Sequence, residues 1–216
     1  RYYLNGLYMF MTNKDVFGVA TDGHRLAKAG LSAQLGLQDN VSAIIPRKGV
    51  IEIDKQLEEA SEELKVAISK NHLQVISKSS SAISKLIDGK FPDYEKVIPA
   101  DADKHVMVDC KSFKEALIRV SILSNDRFRG VRLSFEENEI KVSANNPEKE
   151  EATDDIKAEY SGEPIEVGFN VNYLIDVLNV IKTKKVQISL KDANSSALLS
   201  PENDGSSSYV VMPLRL

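Results

Sequence analysis

The chain repeats its own element order, and that repeat constrains its fold more than any composition figure. Lys65-Val-Ala-Ile-Ser in the first half is answered by Lys185-Val-Gln-Ile-Ser in the second. In the first half, residues 2–10, 16–20 and 25–31 read as strands, parted by the polar turns Asn13-Lys14-Asp15 and Thr21-Asp22-Gly23. A short strand at 42–45 meets Pro46, which opens a helix running from Arg47 to about residue 59, because a fixed φ and a missing N–H cost nothing in a first turn. Strands at 64–69, 73–77 and 82–86 follow, with Lys70-Asn71-His72 as the hairpin turn between the first two.

The second half runs through the same plan. A strand at 106–108 precedes a helix capped by Ser112 and reaching Leu123, and strands at 131–135, 140–144 and 150–159 come next. Then a strand at 165–169 leads into a helix capped by Asn170 and reaching about Ile181, with strands at 186–190, 196–199 and 207–212 to finish. Arg1-Tyr-Tyr-Leu-Asn-Gly lies opposite Arg127-Phe-Arg-Gly-Val-Arg, and the Arg47 helix lies opposite the Asn170 helix. The repeating unit is a strand, a helix and three strands, used twice per domain. The first half lacks its opening strand and helix. The expectation is an α+β chain of two domains, 1–94 and 95–216, with Asp88-Gly-Lys-Phe-Pro-Asp93 as the linker.

Composition narrows the function classes. With 42% hydrophobic and 28% charged residues the chain has the makings of a globular core. No apolar run approaches the roughly 18 residues of a membrane span and no export leader is visible, so the expected compartment is the cytoplasm. Arg1 in place of a Met points to a chain cut from something longer. Cys110 is the single cysteine, and with His24, His72 and His105 it makes neither a disulfide nor a spaced metal set, so no metal and no cofactor are expected. A net charge of −4 leaves only local cationic surfaces. Lys111, Lys114 and Arg119 cluster on the helix before Arg127, Arg129 and Arg132, with Glu115 the internal acid, and Lys182, Lys184 and Lys185 follow the last helix. Such clusters suit sequence-independent attraction to phosphates, although cations near a helix C-terminus also satisfy its dipole. Asp22 and His24 share a strand face and could form an oriented general base, but Asp-Gly is equally a turn signal.

Eight stretches in order, RYYLNG (1–6), ATDGHRLA (20–27), IPRKGVIE (45–52), DGKFPDYEKVIP (88–99), LSNDRFRGVRL (123–133), ANNPEKEEA (144–152), GFNVNYLIDVLN (168–179) and YVVMPLRL (209–216), resemble the bacterial sliding clamp, the beta subunit of DNA polymerase III. The resemblance implies a ring of head-to-tail protomers with three similar domains each, helices lining the hole and antiparallel sheets outside. This chain resembles the second domain, short of its first strand and helix, and the third. It implies a homodimeric ring at full length, a monomeric fragment here, and no catalysis and no membrane. The implied partners are duplex DNA, the polymerase catalytic subunit, the clamp loader and other proteins that carry a short clamp-binding peptide.

Residues also follow from the resemblance. Tyr2, Tyr3, Arg47, Lys48, Lys114, Arg119, Lys184 and Lys185 are implied to face DNA. The peptide pocket is implied at Leu4, Thr21, Gly23, His24, Arg25, Leu26, Pro92, Lys96, Val97, Val210, Met212, Pro213 and Arg215, with Tyr3, Asn170, Tyr173 and Ser196 along a shallower approach. Residue type agrees with that role, since Leu, Val and Met build an adaptable apolar cup that Arg and His can rim. Lys96 stands where a well-studied member has Arg, Asn194 where it has an aliphatic residue, and Leu214 where it has Met. Two other readings belong to different classes. One is a small hydrolase or transferase working through Asp22 and His24, and the other is a β-rich peptide-binding adaptor unrelated to DNA.

Overall fold

The computed structural model describes residues 2–59, 65–78, 80–125 and 129–215. The starts of the strand read at Leu64 and of the Arg127 repeat, with Arg1 and Leu216 at the ends of two family-like stretches, lie outside them. The chain divides into two compact units. One comprises the chain up to Gly23 together with Lys28–Tyr94; the other comprises His24–Ala27 and everything from Glu95 onward. The contiguous break falls between residues 94 and 95, and four residues that the sequence reading placed in the first domain group with the second unit.

The first unit contains strands β1 (Gly6–Met11), β2 (Asp15–Thr21), β3 (Arg25–Ser32, from Lys28) and β4 (Val41–Pro46), helix α1 (Arg47–Glu59), and strands β5 (Lys65–Ile68), β6 (His72–Ile76) and β7 (Ser81–Lys85). The order β3-β2-β1-β4 forms one antiparallel sheet and β5-β6-β7 another. The second unit contains β8 (Lys104–Asp109), α2 (Cys110–Ser121), β9 (Gly130–Glu136), β10 (Glu139–Asn145), β11 (Glu151–Glu159), β12 (Ile165–Asn170), α3 (Val171–Val180), β13 (Lys185–Leu190), β14 (Ala197–Pro201) and β15 (Ser207–Val211). Its strands run in the order β12-β9-β10-β11-β8-β13-β14-β15. Strand, helix and three strands therefore occur twice in the second unit, as the repeat predicts.

The two halves of the second unit are joined by exchange. The opening strand β8 pairs with β13 of the other half, and β12 pairs with β9 in return. Helices α2 and α3 pack against each other and contribute Phe113, Leu117, Leu174 and Leu178 to one core with Val106, Phe135, Phe169 and Ile188. In the first unit β4 pairs with β1 as β12 does with β9, while β5, the counterpart of β13, pairs only with β6 among the described residues.

Four local readings change. Residues 2–4 form a turn of 3-10 helix, closed by the Asn5 N–H on the Tyr2 carbonyl (3.0 Å), and the strand begins only at Gly6. Gly6 pairs with Pro46 just before α1 as Gly130 pairs with Asn170 just before α3, so Gly6, not Leu4, is the counterpart of Gly130. A side chain at Gly6 would meet the Ile45 carbonyl oxygen at 2.4 Å, which is why the strand can start so close to β4. Second, α2 is capped by Asp109 rather than Ser112: its carboxylate accepts the Ser112 N–H at 2.8 Å. Ser112 lies one turn inside, where its N–H needs a partner and its hydroxyl cannot supply one. Third, α2 stops at Ser121, short of Leu123. Fourth, the Asp88–Asp93 stretch is no free spacer. The Ile87 N–H donates to the Ile44 carbonyl (2.9 Å), and Phe91 is buried, its ring stacked on Tyr8 with centroids 4.8 Å apart.

Helix α1 approaches β7 at Gly49, where an added Cβ would lie 2.3 Å from the Ser84 hydroxyl and 2.9 Å from its Cβ. The hydroxyl can rotate away but the Ser84 Cβ cannot. Gly49→Ala is expected to destabilise the first unit by about 1–3 kcal/mol, a typical overpacking cost. Amide exchange should quicken in α1 and β7 and stay unchanged in α2 and α3.

Candidate functional site

In the second unit the C-terminal residues are tied down by main-chain bonds. Met212 leaves β15 with its N–H on the His24 carbonyl (2.9 Å), and two residues on, the Leu214 N–H donates to the Gly168 carbonyl of β12 (2.7 Å). The tail is thus fixed in path while Met212 keeps 38% of its surface exposed beside the buried Val210 and Leu26. An apolar side chain held on a fixed backbone next to buried aliphatics is well placed to close over an incoming apolar group. Ala197 pairs with Val211, so Ser196 and Met212 take the next register positions on the same edge.

Arg25 is the most constrained charged group there. Its guanidinium lies over the Tyr173 ring, 4.4 Å from the centroid, and Nη1 is 2.5 Å from the Asp176 carboxylate. Tyr173 and Asp176 are three apart on α3 and so share a face, while Val171, Leu174, Val177 and Leu178 turn into the core. Asn170 starts this helix, its side-chain oxygen accepting the Asn172 N–H. Asp176 was missed from the sequence. Its signal was a carboxylate one turn beyond Tyr173 on a face otherwise free of charge, but its partner lies 151 positions away.

The structure thus brings His24, Arg25, Leu26, Tyr173, Val210 and Met212 into one unit, with Asn170 beginning the helix that carries Tyr173 and Ser196 in register beside Met212. Pro213 is half-buried and Arg215 exposed on the same tail. Lys96 and Val97 lie in a 3-10 turn, Tyr94–Val97, and are exposed. Leu4, Thr21, Gly23 and Pro92 belong to the first unit. There the Thr21 hydroxyl accepts the Gly23 N–H (3.1 Å), and Gly23 sits at φ 91°, which fits the turn reading of Thr21-Asp22-Gly23.

The cations divide into two groups. Arg119 is held by Asp154 at 2.7 Å, Arg132 faces Glu166 at 3.4 Å, and Lys185 is bonded to Glu159, which raises its pKa. Arg47, Lys48, Lys114 and Lys184 have no ion pair among the described residues. Arg47 and Lys48 are the first two residues of α1, and Lys111 and Lys114 lie in the first turns of α2. Those are the positive ends of the helix dipoles, where cations are disfavoured. Dipole compensation therefore does not account for them; Lys111 is met by Glu115 at 4.0 Å, whereas Arg47, Lys48 and Lys114 have no carboxylate partner among the described residues. Tyr2 is 67% exposed, with its hydroxyl on the Asp88 carbonyl (2.8 Å) and its ring edge-on to Tyr3. Among the described residues no cluster of His, Cys, Asp or Glu could hold a metal ion, and no helix is long and apolar enough to cross a membrane.

A doubled strand-helix-sheet unit with a pinned C-terminal tail and exposed cations at helix starts defines a DNA-clamp class of fold. The sequence matches the DNA polymerase III beta subunit family twice: residues 1–93 match its central domain and residues 95–215 its C-terminal domain. The beta sliding clamp of Pseudomonas aeruginosa is 46% identical over all 216 residues, that of Haemophilus influenzae 47% and that of Escherichia coli K12 44%. A crystal structure of the P. aeruginosa subunit superposes with a TM-score of 0.98, covering 100% of this chain and 59% of that one, and the Caulobacter crescentus protein, 36% identical, gives 0.94 with 58% of that chain covered. The chain spans 59% of the length of these curated relatives. It belongs to the family of bacterial DNA polymerase III beta subunits, the sliding clamps.

The Asp109 cap positions α2 and its Lys114. Hydrogen bonds from Ser112 hold the Asp109 carboxyl below the usual carboxylate range, with Lys184 adding a smaller pull. A depressed folded-state pKa gives stability that is present above the unfolded value of about 3.9 and lost as pH falls through the folded one. Asp109→Ala is expected to cost about 1 kcal/mol at neutral pH. In urea titrations the gap between variant and parent should stay constant down to about pH 4 and close below it.

Proposed function

We propose that this chain is the central and C-terminal part of a processivity clamp, which encircles duplex DNA and tethers polymerase and other replication or repair proteins through a peptide pocket. The observation that carries the reading is the end-to-end match of the chain to two successive clamp domains, with no segment left over for another activity. The clamp performs no catalysis itself, so Asp22 and His24 serve the turn and the pocket rim rather than a reaction. At full length the protein forms a head-to-tail homodimeric ring in the cytoplasm. Its pocket receives the polymerase catalytic subunit, the clamp loader and other carriers of the motif.

Physically, DNA is held by diffuse charge. Arg47, Lys48, Lys114 and Lys184 offer unspent positive charge and Tyr2 and Tyr3 polar aromatic surface, which attracts phosphates without fixing a register and leaves the ring free to slide. Arg119 and Lys185 contribute less, because each already faces a carboxylate. Outside a ring, and with a net charge of −4, the chain should bind duplex weakly and lose binding steeply with salt. Lys114→Glu should flatten the salt dependence of log K by about one phosphate contact, roughly 0.9 in slope, and Arg119→Ala by much less. Tight retention on nicked circular DNA at physiological salt would contradict this. Light scattering should give the 23.9 kDa monomer, since ring closure in this family requires the first domain.

The pocket should work in this chain. Its expected ligand is a peptide with a Gln followed by a Leu and ending in an apolar or aromatic pair, whose last side chains enter among Leu26, Val97, Val210 and Met212. Burying about 150–250 Å² of such an anchor is worth roughly 4–6 kcal/mol before ordering costs, so the affinity is expected near micromolar. Fluorescence titration should show at least a tenfold loss when Met212–Leu216 is deleted. Asp176→Asn leaves the apolar cup intact but frees Arg25 from its fixed position, and should cost about 1 kcal/mol, or roughly fivefold. Unchanged binding in both variants would place the site elsewhere. A P. aeruginosa clamp of 46% identity has been crystallised bound to griselimycin, so the same compound is expected to bind here.

A further inference from the structure

The first unit contains a cavity of about 400 Å³ that shares no residue with the peptide or DNA surfaces described above. Its floor is apolar: Ala43 and Ile44 of β4 are buried, and Phe91 is buried under the stacked ring of Tyr8. Two tertiary main-chain bonds hold its walls, the Ile87 N–H on the Ile44 carbonyl and the Leu86 N–H on the Asn71 carbonyl (2.8 Å). The walls are therefore preformed rather than draped side chains. At its mouth stand Lys70, from the turn between β5 and β6, and Lys90, from the stretch after β7. Neither has an ion pair among the described residues. The Asp88 carboxylate, also at the rim, leaves a net positive charge of one there.

We propose that this cavity is a binding site for a small amphipathic anion, a flat apolar body that carries one carboxylate or phosphate. The volume falls within the roughly 300–1,000 Å³ of small-molecule sites, and the lining is mixed, with Ile44, Leu86, Ile87 and Phe91 beside Ser42, Lys70, Asn71, Asp88 and Lys90, so a ligand with both an apolar and a charged part matches it better than either part alone. A bare inorganic anion would gain nothing from the floor, and a neutral apolar molecule nothing from the lysines. Two lysines that line one opening without an ion pair among the described residues, in a chain with more acids than bases, select a negative end that stays at the rim while the apolar body enters. Gly89, at φ 151°, lines the cavity in a backbone conformation that favours glycine.

The test is a titration of the ¹⁵N-labelled chain with 2-naphthoate and, as a neutral control, 2-naphthalenemethanol. Naphthoate is expected to shift the amides of Tyr8, Asn71, Gly89 and Phe91, with the alcohol at least tenfold weaker. The exposed-site variant Lys70→Glu/Lys90→Glu should keep its remaining spectrum and lose at least tenfold in naphthoate affinity. Equal binding of acid and alcohol, indifference to the double variant, or shifts confined to Arg25, Tyr173 and Met212 would each overturn the assignment. The clamp-motif peptide, added to the same samples, reports on those last three residues, so the failure of one site is read separately from the failure of the other.

Discussion

The exchange of opening strands carries the second unit. Neither half could close a sheet or a core alone. Because β8 pairs with β13 and β12 with β9, each helix is delivered from a strand belonging to the opposite half's sheet, and the two helices meet over a common core. The arrangement resolves a problem that any single strand-helix-three-strand unit faces: one helix cannot cover three strands, and an edge strand left open invites pairing with something else. The first unit shows the other side of that logic, with β4 returning to β1 but β5 pairing on one side only among the described residues.

That closure also explains why functional groups gather where they do. Helix starts follow directly from the exchanging strands, so α1 begins at Arg47 against β1 and α2 at Cys110 against β13, whose neighbouring Lys184 carbonyl accepts the Cys110 N–H. Cations placed in those first turns oppose the helix dipoles, a cost that Glu115 offsets locally for Lys111 but that Arg47 and Lys48 carry with no carboxylate partner among the described residues. Cations further along α2 and on the strands meet carboxylates instead. The division separates cations without a carboxylate partner among the described residues from those already paired, and it follows position along the helix more than residue type.

The surface around the C-terminal tail depends on a different device. A terminal strand is ordinarily the part of a chain most prone to fray, yet here it continues past β15 through two main-chain bonds, to His24 and to Gly168. The residues that follow β15 can then be exposed without being loose. Arg25, clamped between an aromatic face and a carboxylate, has little further entropy to lose on meeting any ligand.

Periodicity and turn chemistry in the sequence were enough for the doubled strand-helix-strand plan and the helix starts at Pro46 and Asn170. These depend on interactions a few residues long: a proline's fixed φ, an Asn side chain on the next turn, alternation along a strand. Family resemblance added only expected surfaces, because the stretches that carry it are contiguous strings. Tertiary structure alone decided the rest. Strand β1 starts at Gly6 because β4's backbone lies against it. The Asp88–Asp93 stretch is anchored because Phe91 finds Tyr8, and Arg119 is spent because Asp154 arrives on a neighbouring strand 35 positions later. The Asp176 partner of Arg25 belongs to the same class. Each of these joins residues far apart in sequence, and no local pattern encodes which distant side chain the folded chain brings within reach.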